Sequence, residues 1–396
     1  MKPLLSLVAI LKDEAASINK VLEAAKPFVD RWTILDTGST DGTQEIVREV
    51  MKDLQGKLIE EPFVDFATSR NRVMQLDRGA EFQLMLSGDE FLRDGPKLRE
   101  QLEESRDSKT DCFAVRVAVD DSSTYSPRVF RTGSAWQYRG VIHEFPAHPD
   151  KAASIEAIKD SWIEHIVSDP EKRLSNIWEN HIPLLQSLIE KDPNDARSLI
   201  FLAQSYEALF AGFSSEEKIQ YAKEAMNLYA RRLALPCETE AEWNYIMLRY
   251  LDVSREVGVY TNEEMFKLAS ALREKDPSRP ETAFLCADAA MRVRSLPEVY
   301  ALFCNAAIVA EQATQIFNSS PISVSFKWKS HYYAAVAAKQ IAEKKPSMIE
   351  ETSGKTYAVL VRDHIASGLA TGGSWSIFKQ LSSPVKQEAV PAQTTP

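Results

Sequence analysis

The fold of the first half of this chain is decided by one stretch, Ile34-Leu35-Asp36-Thr37-Gly38-Ser39-Thr40-Asp41-Gly42-Thr43, in which an apolar strand runs into an acidic turn of small residues. An earlier apolar run, Leu4 to Leu11, ends in a second acidic segment, Lys12-Asp13-Glu14-Ala15. A parallel strand that ends in an acidic, glycine-bearing loop is where a doubly wound sheet binds a nucleotide. The sequence therefore predicts a nucleotide site built from these two loops.

The two loops lack the common phosphate-binding patterns GxxxxGK[ST] and GxGxxG. A carboxylate repels a phosphate, whereas a base or a ribose offers N–H and O–H groups that a carboxylate accepts. We therefore expect Asp36 to contact the base or ribose. The alternative is that Asp36 only shapes its turn, and Asp41 is well placed to cap the helix that follows.

Strands and helices alternate over the first half, which favours a mostly parallel α/β sheet with antiparallel additions near its end. The predicted strands are Leu4–Leu11, Arg31–Asp36, Lys57–Glu61, Glu81–Leu86, Phe113–Val119 and Tyr125–Phe130. The predicted helices are Glu14–Ala25, Asp41 to about Leu54, and Phe66–Leu76.

Four motifs in order resemble those of the inverting glycosyltransferases of family 2, which have a GT-A fold. They are Lys12-Asp13-Glu14-Ala15, Asp36 to Thr43, Ser69-Arg70-Asn71 and Ser87-Gly88-Asp89-Glu90. The resemblance implies transfer of a sugar from a nucleotide diphosphate sugar, usually a UDP-sugar, to an acceptor. It also implies that Asp13, Glu14, Asp36 and Arg70 contact the nucleotide sugar.

Two of these residues have a structural interpretation as well. Glu14 is equally consistent with an acid in the first turn of a helix, where the helix dipole favours it. Arg70 is suited to an ion pair inside the site as well as to direct contact with the donor.

The fourth motif stands where the family has Asp-x-Asp, with Ser87 in the place of the first acid. The resemblance implies that Asp89 binds a divalent cation, Mn²⁺ in preference to Mg²⁺, which neutralises the diphosphate. Because a hydroxyl is a weaker ligand than a carboxylate, Ser87 predicts a loosely held metal. Glu90 supports the loop or competes for the role of catalytic base.

A second cluster, Arg128 to Glu144, resembles the end of the catalytic domain in the soluble, repeat-bearing branch of family 2. Its Gly-x-x-His-Glu offers Glu144 as the base that takes the acceptor proton and His143 as a metal ligand. Asp89 is a second candidate for the base. The structural alternative is that His143 and Glu144 only pair with Arg128 or Arg139.

Four further residues of this cluster have predicted roles. Arg131 and Arg139 are candidates to hold the diphosphate. Trp136 and Tyr138 suit either stacking on a sugar or packing at a domain interface. The other histidines, His165 among them, are too scattered along the chain to predict a metal site.

Composition is that of an ordinary globular protein, with 44% hydrophobic and 26% charged residues among 396. No apolar run is long enough to span a bilayer, the amino terminus lacks a signal-peptide cleavage site, and four scattered cysteines form no disulfide framework. We therefore expect a cytoplasmic protein. The net charge of −10 disfavours loose binding to nucleic acid.

After about residue 165 helix pairs replace the alternating pattern, and Lys-Asp-Pro recurs at residues 191–193 and 275–277. The segment Leu199–Tyr206 resembles the first helix of a tetratricopeptide (TPR) repeat, with the small Ala203 at the helix contact. We predict a GT-A catalytic domain at residues 1–165, an all-α TPR-like domain at 166–375 and a disordered tail at 376–396.

The sequence thus predicts an inverting transferase that uses a UDP-sugar and selects its acceptor with the helical domain. The acceptor is a protein or peptide side chain or a saccharide; a hydroxymethylated base in phage-type DNA is an alternative. A non-catalytic scaffold that binds a nucleotide sugar is the alternative from another class, and Ser87 is its best support. The oligomeric state does not follow from the sequence.

Overall fold

A computed structural model describes residues 2–119, 122–140, 142, 144–150, 153–166, 171, 174, 175, 177–212, 215–237, 239–313, 322, 323 and 325–382. The chain divides into two compact units, one within Met1–Arg173 and one made of Leu174–Thr314 and Ile322–Pro396. The predicted fold class, a mostly parallel α/β sheet followed by helices, is confirmed. The boundary at residue 165 stays a prediction, because residues 167–170 are outside the described part.

The first unit alternates strands and helices along most of its length. Its strands are β1 (Leu5–Leu11), β2 (Arg31–Asp36), β3 (Gln55–Glu60), β4 (Phe82–Leu86), β5 (Glu90–Arg93), β6 (Cys112–Val119), β7 (Ser122–Arg131), β8 (Gln137–Arg139), β9 (Phe145–Ala147) and β10 (Glu156–His165). Its helices are α1 (Ile18–Ala25), α2 (Thr43–Val50), α3 (Phe66–Leu76) and α4 (Gly95–Glu104), with a 3₁₀ turn at Lys26–Phe28.

The strands of this unit follow the order β3-β2-β1-β4-β7-β6-β10-β5, and β8 pairs with β9 in a separate hairpin. β1 is parallel to β2 and β4, and β2 is parallel to β3. The additions beyond β4 are mixed, since β7 is antiparallel to both β4 and β6 while β10 is parallel to β6 and antiparallel to β5.

The sheet has an apolar core on each face, which explains why its central strands are continuously hydrophobic. On β1, Leu7 and Ala9 join one core while Val8 joins the other, because successive side chains point to opposite faces. Trp136 and Tyr138 belong to the second core. Both rings are therefore interior to this unit, and neither the sugar-stacking nor the interface interpretation describes their position.

The first two helices begin later than the sequence predicts. α1 starts at Ile18, because the carbonyl of Glu14 accepts the amides of Ser17 and Ile18 in a preceding turn. Glu14 is therefore not in the first turn of a helix. α2 starts at Thr43 with Gly42 as its capping residue at φ 94°, a conformation that favours glycine. Asp41 is not the cap.

The second unit is mainly helical in its described part. Its helices are α5 (Ile182–Lys191), α6 (Ala196–Gly212), α7 (Ser215–Leu233), α8 (Glu240–Val257), α9 (Asn262–Lys275), α10 (Pro280–Ala290), α11 (Leu296–Gln312), α12 (Ser325–Lys344), α13 (Tyr357–Ala370) and α14 (Trp375–Phe378). Shorter elements are a π turn at Ile177–His181, a strand β11 (Ile322–Ser323) and a 3₁₀ turn at Lys379–Leu381.

Two details of the helical unit bear on the sequence predictions. Ala203 is fully buried on α6, as expected of a small residue at a helix contact. The tail predicted from residue 376 begins with structure, since Phe378 is fully buried and leaves no room for a side chain at Gly368. None of the described helices is both long and apolar enough to cross a membrane.

A polar chain ties three helices of this unit together. Tyr300 Oη lies 3.1 Å from His364 Nε2, His364 Nδ1 lies 3.0 Å from His331 Nδ1, and His331 Nε2 lies 2.8 Å from Glu311 Oε1. Tyr300 and Glu311 come from α11, His331 from α12 and His364 from α13. Burial, followed by the neighbouring His331, lowers the pKa of His364 to about 4.

We expect the helical unit to lose stability as the pH falls from about 6.5 towards 4. Unfolded His364 takes up a proton in this range and folded His364 does not, so acid favours the unfolded chain. Chemical denaturation of the full chain at several pH values, monitored by helical circular dichroism, measures the slope. The variant His364→Asn should show a weaker dependence of stability on pH, whereas His148→Asn should behave like the wild type. Equal slopes in the wild type and both variants would show that His364 is not the group responsible.

Candidate active site

Three loops meet at one edge of the sheet because the strands before them are parallel. Leu11 is opposite Asp36 in the β1–β2 pair, and Ala9 is opposite Leu86 in the β1–β4 pair. The loops after β1, β2 and β4 therefore leave the sheet side by side. This edge carries the motifs that the sequence analysis selected in residues 12–15, 36–43 and 87–90.

The loops after β1 and β2 are joined by hydrogen bonds between small polar groups and main-chain amides. Asp13, which has φ 53°, accepts the amide of Thr40 at 2.8 Å and donates its own amide to Ser39 Oγ at 2.9 Å. The amide of Glu14 donates to Thr43 Oγ1 at 2.8 Å. Acids and hydroxyls of the turn therefore fix the shape of this edge.

Asp36 is fully buried at the end of β2, where its own turn surrounds the carboxylate. Oδ1 accepts the amides of Gly38 and Ser39 and the side chain of Gln44, and Oδ2 accepts the hydroxyl of Ser39 at 2.5 Å. Burial raises the pKa of Asp36, but these hydrogen bonds outweigh burial and lower it overall. Asp36 organises the turn in this structure, and contact with a nucleotide stays a prediction.

Asp41 links the same two loops. Its carboxylate accepts the amide and hydroxyl of Thr43 at 3.0 and 2.6 Å, and the amide of Ala15 at 2.9 Å. The hydroxyl of Thr43 is the largest cause of the lowered pKa of Asp41. Asp41 therefore connects the start of α2 to the loop after β1.

The loop after β4 contacts the first loop through Gly88. A side chain at Gly88 would lie 2.5 Å from Cγ of Glu14, so only glycine leaves room for the Glu14 side chain. Glu14 Oε2 also accepts the hydroxyl of Ser17 at 3.1 Å. The side chain of Glu14, on the loop after β1, thus packs against the loop after β4.

Arg70 on α3 bridges the candidate base and the candidate metal loop. Its Nε donates to Glu144 Oε1 at 2.7 Å, and its Nη2 donates to Ser87 Oγ at 3.2 Å. The side chains of Arg70 and Glu144 are only 8% and 14% exposed, which makes this a nearly buried ion pair. Glu144 therefore pairs with Arg70, and not with Arg128 or Arg139 as the structural alternative had it.

The third guanidinium nitrogen of Arg70 is buried and has no hydrogen-bond partner among the described residues. The guanidinium also lies over the ring of Tyr138, 5.4 Å from its centre. A buried donor without a partner is costly. Arg70 Nη1 thus has an unused hydrogen-bond donor within the described part of the chain.

Glu90 is an unsuitable rival for the base. It is 2% exposed, and its carboxylate accepts Arg128 Nη2 at 2.5 Å and the amide of Ser87 at 2.9 Å. Burial lowers the pKa of Arg128, but Glu90 is the largest of the opposing causes and the pKa is raised overall. Glu90 closes the loop after β4 and neutralises a buried arginine.

Asp89 is paired with a histidine that the sequence analysis dismissed. Asp89 Oδ2 lies 3.0 Å from His165 Nε2, at the end of β10, and the hydrogen bond to Asp89 raises the pKa of His165. The antiparallel register of β10 with β5, which sets His165 opposite Glu90, brings the imidazole here. No local motif marks His165, so only the strand pairing could have identified it.

Asp89 and His165 offer an oxygen and a nitrogen donor of the kinds that Mn²⁺ accepts. No group of three or more histidine, cysteine or acidic residues with the arrangement of a metal site occurs within the described ranges. The predicted ligand His143 lies outside the described residues. Within the described part of the chain, Asp89 and His165 are thus two side-chain donors that suit a divalent cation, and the oxygens of a bound diphosphate suit it as well.

The two arginines predicted to hold the diphosphate lie in different places. Arg131 is opposite Phe82, at the start of β4, whereas the candidate loop follows the end of β4. It donates to Glu81 and to the carbonyls of Ser105, Arg106, Ser108 and Thr110. The structure thus does not bring Arg131 to this edge. Arg139 is exposed on β8, opposite Phe145 of β9.

Asn71 fixes the segment that leads to Glu144. Its side-chain amide donates to the carbonyl of Tyr138 at 2.8 Å, and its side-chain oxygen accepts the amide of Tyr138 at 2.7 Å. This pair of hydrogen bonds imitates one step of a strand ladder and attaches β8 to α3. Arg70 and its neighbour Asn71 therefore act on the same loop, one through Glu144 and the other through the main chain.

We expect Asn71→Asp to lower the free energy of unfolding of the first unit by about 1–3 kcal/mol, because a carboxylate cannot donate to the Tyr138 carbonyl and leaves it unpaired. Urea denaturation of the full chain, monitored by tryptophan fluorescence, provides the measurement. Gln75→Glu makes the same chemical change at an exposed position of α3 and should have little effect. A loss no larger than that of Gln75→Glu would show that the contact contributes nothing.

Comparison with known proteins identifies the first unit. Residues 6–166 match the family model described as Glycosyl transferase family 2. The SPbeta prophage-derived glycosyltransferase SunS of Bacillus subtilis (strain 168) is 21% identical over 235 residues, which are 58% of this chain and 54% of that protein. A TPR repeat-containing protein of Synechococcus elongatus is 34% identical over 166 residues, 40% of this chain and 38% of that protein.

The chain thus spans about half or less of the length of these relatives. The solved structure of the mannosyltransferase PcManGT from Pyrobaculum calidifontis, in complex with GDP-Man and Mn²⁺, is 13% identical and covers 88% of this chain and 89% of its own. Its TM-score with this chain is 0.35. The family match agrees with the resemblance carried by the four motifs, since residues 6–166, which contain all four, match the Glycosyl transferase family 2 model.

Proposed function

We propose that the first unit transfers a sugar from a nucleotide diphosphate sugar, with UDP as the expected nucleotide, to a nucleophilic group of an acceptor. The observation that supports this most is the contact of Arg70 with both Glu144 and Ser87. It places a carboxylate beside the loop that carries Asp89, on the edge of the sheet where the family 2 motifs end. A base and a diphosphate-binding loop are the two parts that such a reaction needs.

Glu144 is the proposed base. As the acceptor oxygen attacks the anomeric carbon, the carboxylate takes the acceptor proton and the bond from that carbon to the diphosphate oxygen breaks. The electron pair of this bond leaves with the nucleoside diphosphate. Attack opposite to the leaving group inverts the configuration at the anomeric carbon. Asp89, which the sequence also nominated as base, is engaged with His165 and is proposed for the diphosphate instead.

The leaving diphosphate gains negative charge. Arg70, a cation held by Asp89 and His165, and Arg139 are proposed to stabilise that charge. Arg70 offers its unpaired Nη1, and Asp89 with His165 would hold a divalent cation, Mn²⁺ in preference to Mg²⁺. When bound, such a cation neutralises the diphosphate. Arg139 is exposed on β8 and stays a candidate for the outer phosphate contact. Asp13 and Glu14, on the loop after β1, are proposed to contact the nucleotide sugar.

The acceptor is proposed to bind the helical unit. Stacked helix pairs commonly present surfaces for peptides and proteins, so a protein or peptide side chain is favoured over a saccharide. A hydroxymethylated base in DNA is disfavoured by the net charge of −10. A scaffold that binds a nucleotide sugar without turnover is the alternative that uses the same edge of the sheet.

Nucleotide binding is the first test. We expect UDP with Mn²⁺ to raise the melting temperature of the full chain more than GDP, ADP or CDP with Mn²⁺, because a ligand that binds only the native state stabilises it. Asp89→Asn should reduce the part of the shift that depends on Mn²⁺, and Glu104→Gln, which changes an exposed carboxylate at the end of α4, should not. Equal shifts with all four nucleotides would contradict a uracil-reading site, and no shift with any would contradict the proposal.

Turnover is the second test. We expect Glu144→Gln to lower the release of free nucleotide from the nucleotide sugar by about 10²–10⁴-fold, the usual contribution of a general base. The amide oxygen of glutamine still accepts from Arg70 Nε, so nucleotide affinity should change less than threefold. Glu104→Gln is again the control. A Glu144→Gln protein that turns over normally would leave Glu144 as an ion-pair partner only.

Labelled nucleotide sugar, added with the protein to a lysate of the native host, would identify the acceptor by mass spectrometry. Label on a protein or peptide supports the proposed role of the helical unit, and label on DNA or on glycan alone contradicts it. A wild-type protein that binds nucleotide, but neither labels an acceptor nor releases nucleotide, supports the scaffold alternative.

A further inference from the structure

The loop between β3 and α3 carries an exposed apolar surface at the edge of the proposed active site. Phe63, Val64 and Phe66 are 43%, 69% and 40% exposed, and they make up three of the five large apolar side chains that are exposed in the described part of the first unit. The rings of Phe63 and Phe66 meet edge to face, 5.1 Å apart. We call residues 61–66 the aromatic rim.

The aromatic rim leaves the sheet directly beside Asp36. Glu60, the last residue of β3, is opposite Asp36 in the parallel β2–β3 pair, and the amide of Glu61 donates to the carbonyl of Asp36 at 3.1 Å. The rim therefore belongs to the same edge as the three loops that carry the family motifs. None of those motifs includes Phe63.

Both ends of the aromatic rim are fixed by polar contacts. Arg72 Nη2 and Nε each donate to the Glu61 carboxylate, at 2.8 and 3.0 Å. Asp65 caps α3 and accepts the amide and hydroxyl of Thr68, both at 2.7 Å. A loop held at both ends presents Phe63 to solvent in a defined position, and exposing large apolar side chains in this way is unfavourable unless a ligand covers them.

Charge and spacing indicate which part of a nucleotide sugar would cover the rim. Residues 61–66 contain no lysine or arginine, and Arg72 beside them is already paired with Glu61, so the rim has little to offer a diphosphate. Its two exposed rings offer an apolar face that suits a planar group. The groups suited to the diphosphate, Arg70 Nη1 and the Asp89–His165 pair, lie beyond β1 on the β4 side. Three strand spacings separate β3 from β4, roughly 14 Å at ~4.8 Å each, which is the scale of an extended nucleoside diphosphate.

We infer that Phe63 is the stacking platform for the base of the donor nucleotide, with Phe66 supporting it edge-on and the diphosphate directed towards Arg70 and Asp89. This inference rests on the proposed function, because it assigns a further part of the same site. It places the specificity for a planar base on the loop after β3, while Asp36 keeps the neighbouring turn in shape.

Calorimetric titration of the full chain with UDP, uridine and inorganic pyrophosphate, each in the presence of Mn²⁺, tests the inference. Stacking of a base on an aromatic side chain contributes about 1–3 kcal/mol. Phe63→Ala should therefore lower the affinity for UDP and for uridine by about 5- to 150-fold. Phe63→Leu keeps the apolar bulk without the ring and should weaken both nearly as much. Phe63→Tyr keeps the ring and should stay within threefold of wild type. Pyrophosphate affinity should not change in any variant.

Ile308→Ala, which removes an exposed apolar side chain of the helical unit, is the matched control and should leave all three affinities unchanged. Melting temperatures confirm that each variant is folded, and Phe66→Ala should show a smaller loss than Phe63→Ala. Unchanged UDP affinity in Phe63→Ala, or an equal loss for UDP and pyrophosphate, would overturn the stacking role while leaving the proposed function intact. A wild-type protein that binds neither UDP nor uridine would overturn both.

Discussion

Parallel pairing of β1 with β2 on one side and β4 on the other is the constraint on which the proposed site depends. It forces three acidic loops to leave the sheet at one edge, where their carboxylates would repel each other without compensation. In the loops after β1 and β2 the compensation comes from amides and hydroxyls, whereas in the loop after β4 Glu90 pairs with Arg128 and Asp89 pairs with His165. Asp13, Asp36 and Asp41 each accept hydrogen bonds from the loop after β2, which keeps the edge acidic and fixes its shape.

The site also contains two nearly buried ion pairs. Arg70 pairs with Glu144 and Arg128 pairs with Glu90, and the ring of Tyr138 is close to both guanidinium groups. Removing one partner from such a pair leaves an uncompensated charge, at a cost of about 3–5 kcal/mol, while the pair itself adds little net stability. The main effect of these pairs is therefore on position: Arg70 orients Glu144, and Arg128 with Glu90 holds the loop after β4.

The structure gives Ser87 a role that the sequence did not predict, as a neutral partner of Arg70. The sequence suggested a weakened metal motif, because an acid is missing from the expected place. In the structure the Ser87 hydroxyl accepts a hydrogen bond from Arg70 Nη2 without adding a further negative charge to the cluster. An acid at this position would compete with Glu144 for Arg70. The serine is thus compatible with a working base, and its presence is weaker support for the scaffold alternative than the sequence alone implied.

The sequence by itself determined six of the ten described strands and three of the four described helices in the first unit, the helical character of the second, and the edge at which the family motifs lie; β5, β8, β9, β10 and α4 were not predicted. These features follow from local patterns, such as Ile18, Val21, Leu22 and Ala25 on one face of α1, and from the rule that parallel strands end together. Only the tertiary structure decided which charged groups meet. Arg128 and Arg131 are three residues apart on β7, yet one reaches Glu90 and the other Glu81, because strand register sets the end of the sheet that each side chain reaches. His165 meets Asp89 for the same reason, through a pairing of β10 with β5 that spans more than seventy residues and leaves no local signal in the chain.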